Sequence, residues 1–197
     1  AAILAAERTA LNFLGRRCGI ATLTRRCVEM VAGTRALIYD TRKTTPGLRL
    51  LERNAVVMGG GRNHRFALHD AILIKDNHLR LAGGVGSAVR AARTRHPGES
   101  GTRPVIEVEI DHVKDLEDAI EAGADIVLLD NMTPVEVGEA VRQAAGRVVL
   151  EASGGITVSN LGDFAATGVD RISLGALTHS APAADVGLSV EPIPPLR

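Results

Sequence analysis

Several stretches of this sequence place chemically capable side chains directly after short apolar runs. Thr41-Arg42-Lys43-Thr44-Thr45-Pro46 follows the run at 36–39 after a single residue, Asp40. Two adjacent cations backed by three hydroxyls make an anion receptor. Arg42 offers a flat fork for a carboxylate or phosphate, and Lys43 a point charge. Asn63-His64-Arg65 and then Ile72-Leu73-Ile74-Lys75-Asp76-Asn77-His78 form a second, denser cluster. A solvated turn would explain the first stretch, and a lysine snorkelling from a strand end the second. Lys43, Lys75 and Lys114 are the only lysines among 23 basic residues, and two of the three stand in these motifs. The company of His64 and Arg65 favours a functional Lys75. His69, His96 and His112 lack such company and are assigned to the surface or to structure.

Carboxylates and glycines complete the set. Glu107-Val108-Glu109 puts both acids on one face of a strand, and Asp130 closes the run at 126–129. Side by side, Glu109 and Asp130 would hold Mg²⁺, directly or through water, because Mg²⁺ takes one or two carboxylates plus substrate phosphate oxygens. Charge capping of strand ends is the bland alternative. Ser153-Gly154-Gly155 lies between an apolar run and a helical pattern, and Leu174-Gly175-Ala176 repeats the arrangement later. Without side chains, the glycine backbone N–H groups can approach a phosphate. His179 lies close enough in sequence to join the second cradle.

These residues must be positioned by an alternation of strands and helices. Short apolar runs at 36–39, 71–74, 105–109, 126–129, 148–151 and 171–174 predict six strands, with a weak candidate at 186–190. Helical patterns at 47–57, 87–96, 113–122, 134–145 and 159–167 lie between them. Repeated βα units give a parallel sheet. Polar residues at the end of strand after strand favour an α/β barrel, whose strand ends converge on one site, over an open sheet with one switch point. Six strands make it an incomplete TIM-like barrel. Residues 1–32 are expected to form N-terminal helices leading into a barrel domain at 33–197. Stretches 59–61, 97–104 and 192–197 are expected as loops or tail.

Composition narrows the function classes. With 197 residues, 45% hydrophobic and 23% charged, the chain suits one soluble domain rather than a disordered one. The charge balance is zero, and one Tyr, three Phe and no Trp leave little to stack on bases, so nucleic acid is not an expected partner. No apolar run approaches the roughly 20 residues of a membrane span. Cys18 and Cys27 form no disulfide framework, which fits a cytoplasmic protein. The helix-period pattern starts at Ala1 with no Met and no capping residue, and residues upstream are expected. There is no dinucleotide fingerprint, Walker motif, zinc-protease motif or nucleophile elbow.

Taken together, Ala6-Glu7-Arg8-Thr9-Ala10-Leu11-Asn12, Asp40-Thr41-Arg42-Lys43-Thr44-Thr45-Pro46-Gly47, Asn63-His64-Arg65, Leu73-Ile74-Lys75-Asp76-Asn77-His78, Glu107-Val108-Glu109, Leu128-Leu129-Asp130-Asn131-Met132, Glu151-Ala152-Ser153-Gly154-Gly155-Ile156 and Gly175-Ala176-Leu177-Thr178-His179-Ser180 resemble the quinolinate phosphoribosyltransferases. The resemblance implies quinolinate and phosphoribosyl pyrophosphate (PRPP) as substrates with Mg²⁺. The products would be nicotinate mononucleotide, pyrophosphate and CO₂, in NAD synthesis. It implies an incomplete barrel of about six strands. It also implies an upstream α/β domain and a homodimer or higher assembly with sites shared between subunits. Arg42, Arg65 and Lys75 would hold the quinolinate carboxylates with His64 beside them, and Arg8 would reach a partner's site. Lys43, Glu109 and Asp130 would surround PRPP and its metal as the catalytic groups, with Thr41 beside them. Ser153, Gly154, Gly155, Leu174, Gly175 and Ala176 would cradle phosphate. Three rivals stay open: a paralogue acting on another small acid, a Schiff-base aldolase using Lys75, and a non-catalytic barrel fragment.

Overall fold

The computed structural model describes residues 2–97 and 103–191. The expected tail at 192–197 and most of the loop at 97–104 lie outside the described residues. Helix α1 (Ala2–Met30) leads into β1 (Leu37–Tyr39), α2 (Arg49–Met58), β2 (Ile72–Ile74), α3 (Asp76–Ala82), α4 (Val85–Arg95) and β3 (Ile106–Ile110). A 3-10 turn (Val113–Asp115) opens α5 (Leu116–Glu121). There follow β4 (Ile126–Asp130), α6 (Pro134–Ala144), β5 (Val149–Ser153), α7 (Leu161–Ala165), β6 (Arg171–Ser173) and the single turn α8 (Ala176–His179).

The six strands form one parallel sheet in the order β1-β6-β5-β4-β3-β2. Strands β1 and β2, consecutive in the chain, are therefore its two edges, and the barrel is incomplete. The segment at 62–65 occupies the gap. Arg62 makes an isolated parallel bridge to Tyr39, and the Arg65 guanidinium donates to the Ala71 carbonyl just before β2 (3.3 Å).

Alternation sets what each face carries. Outward residues such as Ile38, Ile106, Val108, Val127, Leu150 and Ile172 are buried in the apolar core between sheet and helices. Inward residues are largely polar: Glu109 stands beside Leu128, Leu128 beside Glu151, and Glu151 beside Arg171. The runs that look continuously apolar thus belong to strands with one greasy face and one chemical face.

Four expectations are corrected. Residues 1–32 hold one 29-residue helix rather than several. No strand forms at 186–190; the chain there runs as irregular backbone, and close by the Ala184 amide donates to the Gly15 carbonyl of α1 (2.9 Å). Helix α3 was not expected, because its first residues, Asp76-Asn77-His78, look like a polar loop. It is stabilised by the His78 ring accepting from the Lys75 amide (2.9 Å) and ends at Gly83 in the left-handed region (φ 80°). The helix expected at 159–167 is only Leu161–Ala165, because Asn160 closes a turn before it by accepting from the Thr157 amide (2.7 Å). By contrast, α6 starts where Thr133-Pro134 indicates, with a Thr133–Glu136 capping box.

Candidate active site

All six strand ends feed one cleft of ≈ 370 Å³. Its wall includes Thr41, Arg42, Lys43, His64, Arg65, Lys75, Glu109, Asp130 and Ser153, each singled out from sequence. Leu73, Leu128, Glu151 and Ser173 line it as well. These four belong to strands, at inward register positions; Glu151 stands among the polar strand ends and in a sequence motif, whereas the types of Leu73, Leu128 and Ser173 carry no such mark.

Two guanidiniums dominate one side. Arg42 and Arg65 repel each other, and burial and that repulsion lower the pKa of Arg65. Their Nε atoms are buried without a hydrogen-bond partner among the described residues. A carboxylate set between two such forks would offset the repulsion. Lys75, also on the cleft wall, is ion-paired with Glu109. Asp130 lies close by, and burial together with the Glu109 charge raises its pKa, against the pull of Lys75 and Lys43. Asp130 Oδ2 accepts from the Asn131 side-chain Nδ2 (2.7 Å).

Beneath the cleft, the His64 ring enters between two buried carboxylates. Its Nε2 is 3.2 Å from Glu107 and 3.3 Å from Glu151 Oε1. Burial lowers the His64 pKa, but the hydrogen bonds and charges of the two glutamates outweigh it and push it up to about 10. The Arg65 amide, aimed at Nδ1 (2.9 Å), works against the second proton. Two full charges at this range exceed one amide dipole. These three side chains have the types and spacing of a metal centre. With the Arg65 amide directed at Nδ1, the Nε2 proton faces the two carboxylates, and the three groups form a hydrogen-bonded ion cluster. Glu151 also accepts from Ser173 and lies 3.9 Å from the Arg171 guanidinium, which stacks over Tyr39 (4.8 Å to the ring centre).

Buried Asp40 and Arg53 fix the backbone that presents His64 and Arg65. Asp40 accepts from the His64 amide (2.7 Å) and from Arg53 (3.3 Å), and with its amide turned inward Asn63 donates to it too (2.7 Å). Arg53 in turn donates to the His64 and Arg65 carbonyls. Burial is the main cause that raises the Asp40 pKa to about 6. Asp40 stands within a sequence motif, and Arg53 stands in none. Its available signal was a charged pair, Glu52-Arg53, between the apolar residues Leu50-Leu51 and Ala55–Met58 of the helix.

The remaining candidates lie outside the cleft wall. Arg8 is exposed on α1, in a shallow groove with Leu11, Asn12 and 183–186. Leu174 is buried in the apolar core, so only its backbone is available to a ligand. His179 is exposed, its Nδ1 2.5 Å from the Ser180 hydroxyl. The two cradle glycines differ. A Cβ on Gly154 (φ 85°) would stand 2.3 Å from Asn131 Oδ1, whereas Gly155 (φ 63°) faces open space. Gly154 is therefore required by its neighbour, and Gly155 remains accessible to a ligand. Gly175 and Ala176 start the single turn α8 beside Lys43.

Residues 20–189 match the family model for the quinolinate phosphoribosyl transferase C-terminal domain. The chain belongs to the quinolinate phosphoribosyltransferase family. It is 46% identical over 190 residues to a probable nicotinate-nucleotide pyrophosphorylase [carboxylating] of Bacillus subtilis, covering 96% of this chain and 64% of that protein. The corresponding human protein is 42% identical, with 99% of this chain and 68% of its own length covered. Among solved structures, the nicotinate-nucleotide pyrophosphorylase of Francisella tularensis superposes with a TM-score of 0.87 at 45% identity, over 93% of this chain and 64% of that one. The chain thus spans about two thirds of the length of these quinolinate phosphoribosyltransferase relatives. Among the described residues no helix is long and apolar enough to cross a membrane.

Proposed function

We propose that this chain carries the catalytic barrel of a quinolinate phosphoribosyltransferase. It would transfer phosphoribosyl from PRPP to quinolinate and release pyrophosphate and CO₂, leaving nicotinate mononucleotide for NAD synthesis. The observation that supports this reading is the composition of one cleft. Arg42, Lys43, Arg65 and Lys75 share it with the carboxylates of Glu109 and Asp130.

Quinolinate is a dianion, and the Arg42 and Arg65 forks with cationic His64 beneath them suit its two carboxylates. Held there, its ring nitrogen attacks C1 of the ribose as pyrophosphate leaves. Positive charge that develops on the ribose is stabilised by Glu109 and Asp130. Once ribosylated, the ring nitrogen is cationic and stabilises the electron pair left at C2 when CO₂ departs; C2 then takes a proton. The protein's contribution is orientation and fixed charge rather than covalent chemistry. Hard oxygen donors, with the Glu109 charge opposing ionisation of Asp130, fit a divalent cation, so Glu109 and Asp130 would hold Mg²⁺. Mg²⁺ there would neutralise charge on the departing pyrophosphate. The same reading makes the protein a cytoplasmic homodimer or higher assembly, with Arg8 serving a partner's site.

The test is CO₂ release from quinolinate labelled in its 2-carboxylate. Release that requires both PRPP and Mg²⁺ supports the reading, and none under any condition overturns it. Borohydride trapping of a stable adduct on Lys75 would favour the aldolase instead. A Schiff-base nucleophile needs a free amine, and Lys75 is committed to Glu109. Asp130→Ala should weaken the Mg²⁺ dependence of PRPP binding and leave quinolinate binding intact. Normal Mg²⁺ dependence in that variant would refute the metal assignment.

A further inference from the structure

Lys43 sits in an irregular loop and carries a flexible side chain, so something must hold it in place. Thr178, on α8, is completely buried, and its hydroxyl donates to the Lys43 carbonyl at 2.7 Å. The same oxygen lies 3.3 Å from the Gly175 carbonyl, a weaker alternative for its single proton. Gly175 completes the seat. A Cβ there would stand 3.3 Å from Lys43 Cδ and 3.0 Å from His179 Nε2, so the lysine stem lies across the bare glycine.

A second link holds the other side of the loop. Arg16 donates to the Thr178 and Ala181 carbonyls and grips Glu52 through Nε (3.1 Å) and Nη2 (2.9 Å). Glu52, almost fully buried, accepts from the Thr45 hydroxyl (2.8 Å) and amide (3.0 Å). The loop is thus attached on both sides of Thr44 to one unit built from α1, α2 and α8.

We propose that Thr178 is a positioning residue for the polyanion end of the site: its hydroxyl and Gly175 seat Lys43, the Arg16–Glu52 pair fixes Thr45, and the loop after β1 and the turn after β6 grip one ligand as a single unit. The inference rests on the reading above, in which that ligand is PRPP or the pyrophosphate it releases. Quinolinate, gripped mainly by Arg42 and Arg65, depends on the seat far less.

The experiment titrates the full 197-residue chain with inorganic pyrophosphate in Mg²⁺ buffer, and separately with quinolinate. Thr178→Val keeps the shape and removes the hydroxyl; Thr178→Ser keeps the hydroxyl. Loss of one buried hydrogen bond is expected to weaken pyrophosphate binding by about five- to tenfold in the valine variant. Serine should restore it, and quinolinate affinity should stay within about twofold. Should Thr178→Val not fold, Thr178→Ala removes the same hydroxyl and is judged by the same criteria. Unchanged pyrophosphate affinity, no rescue by serine, or equal weakening of both ligands overturns the inference and leaves the proposed function standing. A parent chain that binds neither ligand overturns both.

Discussion

At the scale of single residues, the two guanidiniums of the cleft, with Nε atoms unpartnered among the described residues, decide what the cleft can hold. Arg42 and Arg65 differ from lysine in presenting two parallel donors to one carboxylate. Changing either to Lys should weaken quinolinate binding by about tenfold or more, with PRPP binding affected less, as titration of each ligand will show. Equal affinity in parent and both variants would remove these two from the acid pocket. His64 gives a pH signature. Its folded pKa of about 10 exceeds the ordinary histidine value of 6.5, so the folded state binds a proton that the unfolded chain releases first. The stability this provides is complete below about 6.5 and is lost as pH rises towards 10. Denaturant unfolding between pH 7 and 10 should therefore show a steeper loss in the parent than in His64→Gln.

At the scale of elements, close backbone approach decides how α1 docks. Its first half is exposed, and its buried residues are Gly15, Gly19, Ile20, Thr24 and Cys27. A Cβ on Gly19 would stand 1.9 Å from the Pro182 carbonyl oxygen. Gly19→Ala must push α1 away from 182–184 and strain the Arg16 contacts that lie one turn earlier. We expect a loss of about 1–3 kcal/mol in unfolding free energy, measured by denaturant titration. A change within about 0.5 kcal/mol would show that the helix can shift freely. At the opposite end of the sheet, aspartates do the joining. Asp125 accepts from the Ile106 amide (2.8 Å) and Asp170 from the Leu150 amide (2.9 Å), each locking a neighbouring strand. The candidate cleft lies at the C-terminal ends of the strands, and these bonds at the N-terminal ends serve stability.

At the scale of the whole molecule, the exposed half of α1 carries Ile3, Leu4, Phe13 and Leu14 at exposures between 43% and 68%. With the assembly proposed above, sedimentation of the chain should give a dimer or larger species. Phe13→Glu together with Ile3→Glu should shift it toward monomer, because burying unpaired carboxylates in an apolar contact is costly. A parent chain that sediments as a monomer would refute this use of the surface.

The sequence alone determined the strand–helix alternation and most of the cleft. Apolar runs must be buried, and a polar side chain that ends such a run must emerge at the sheet's rim; Arg42, Lys75, Glu109 and Asp130 were legible for that reason. The motifs were local, so the family resemblance was legible too. Tertiary structure alone decided which partners meet. Glu107 and Glu151 lie 44 positions apart, and only the curl of the sheet brings both to His64. Thr178 reaches Lys43 across 135 positions because β1 and β6 are neighbours in the sheet, an adjacency that no local pattern encodes. Arg53 gains its role only where the 62–65 segment folds over it, and the requirement for glycine at 154 comes from Asn131 packed against it. Periodicity reports which face of an element is apolar; pairing between distant elements depends on the closure of the whole sheet.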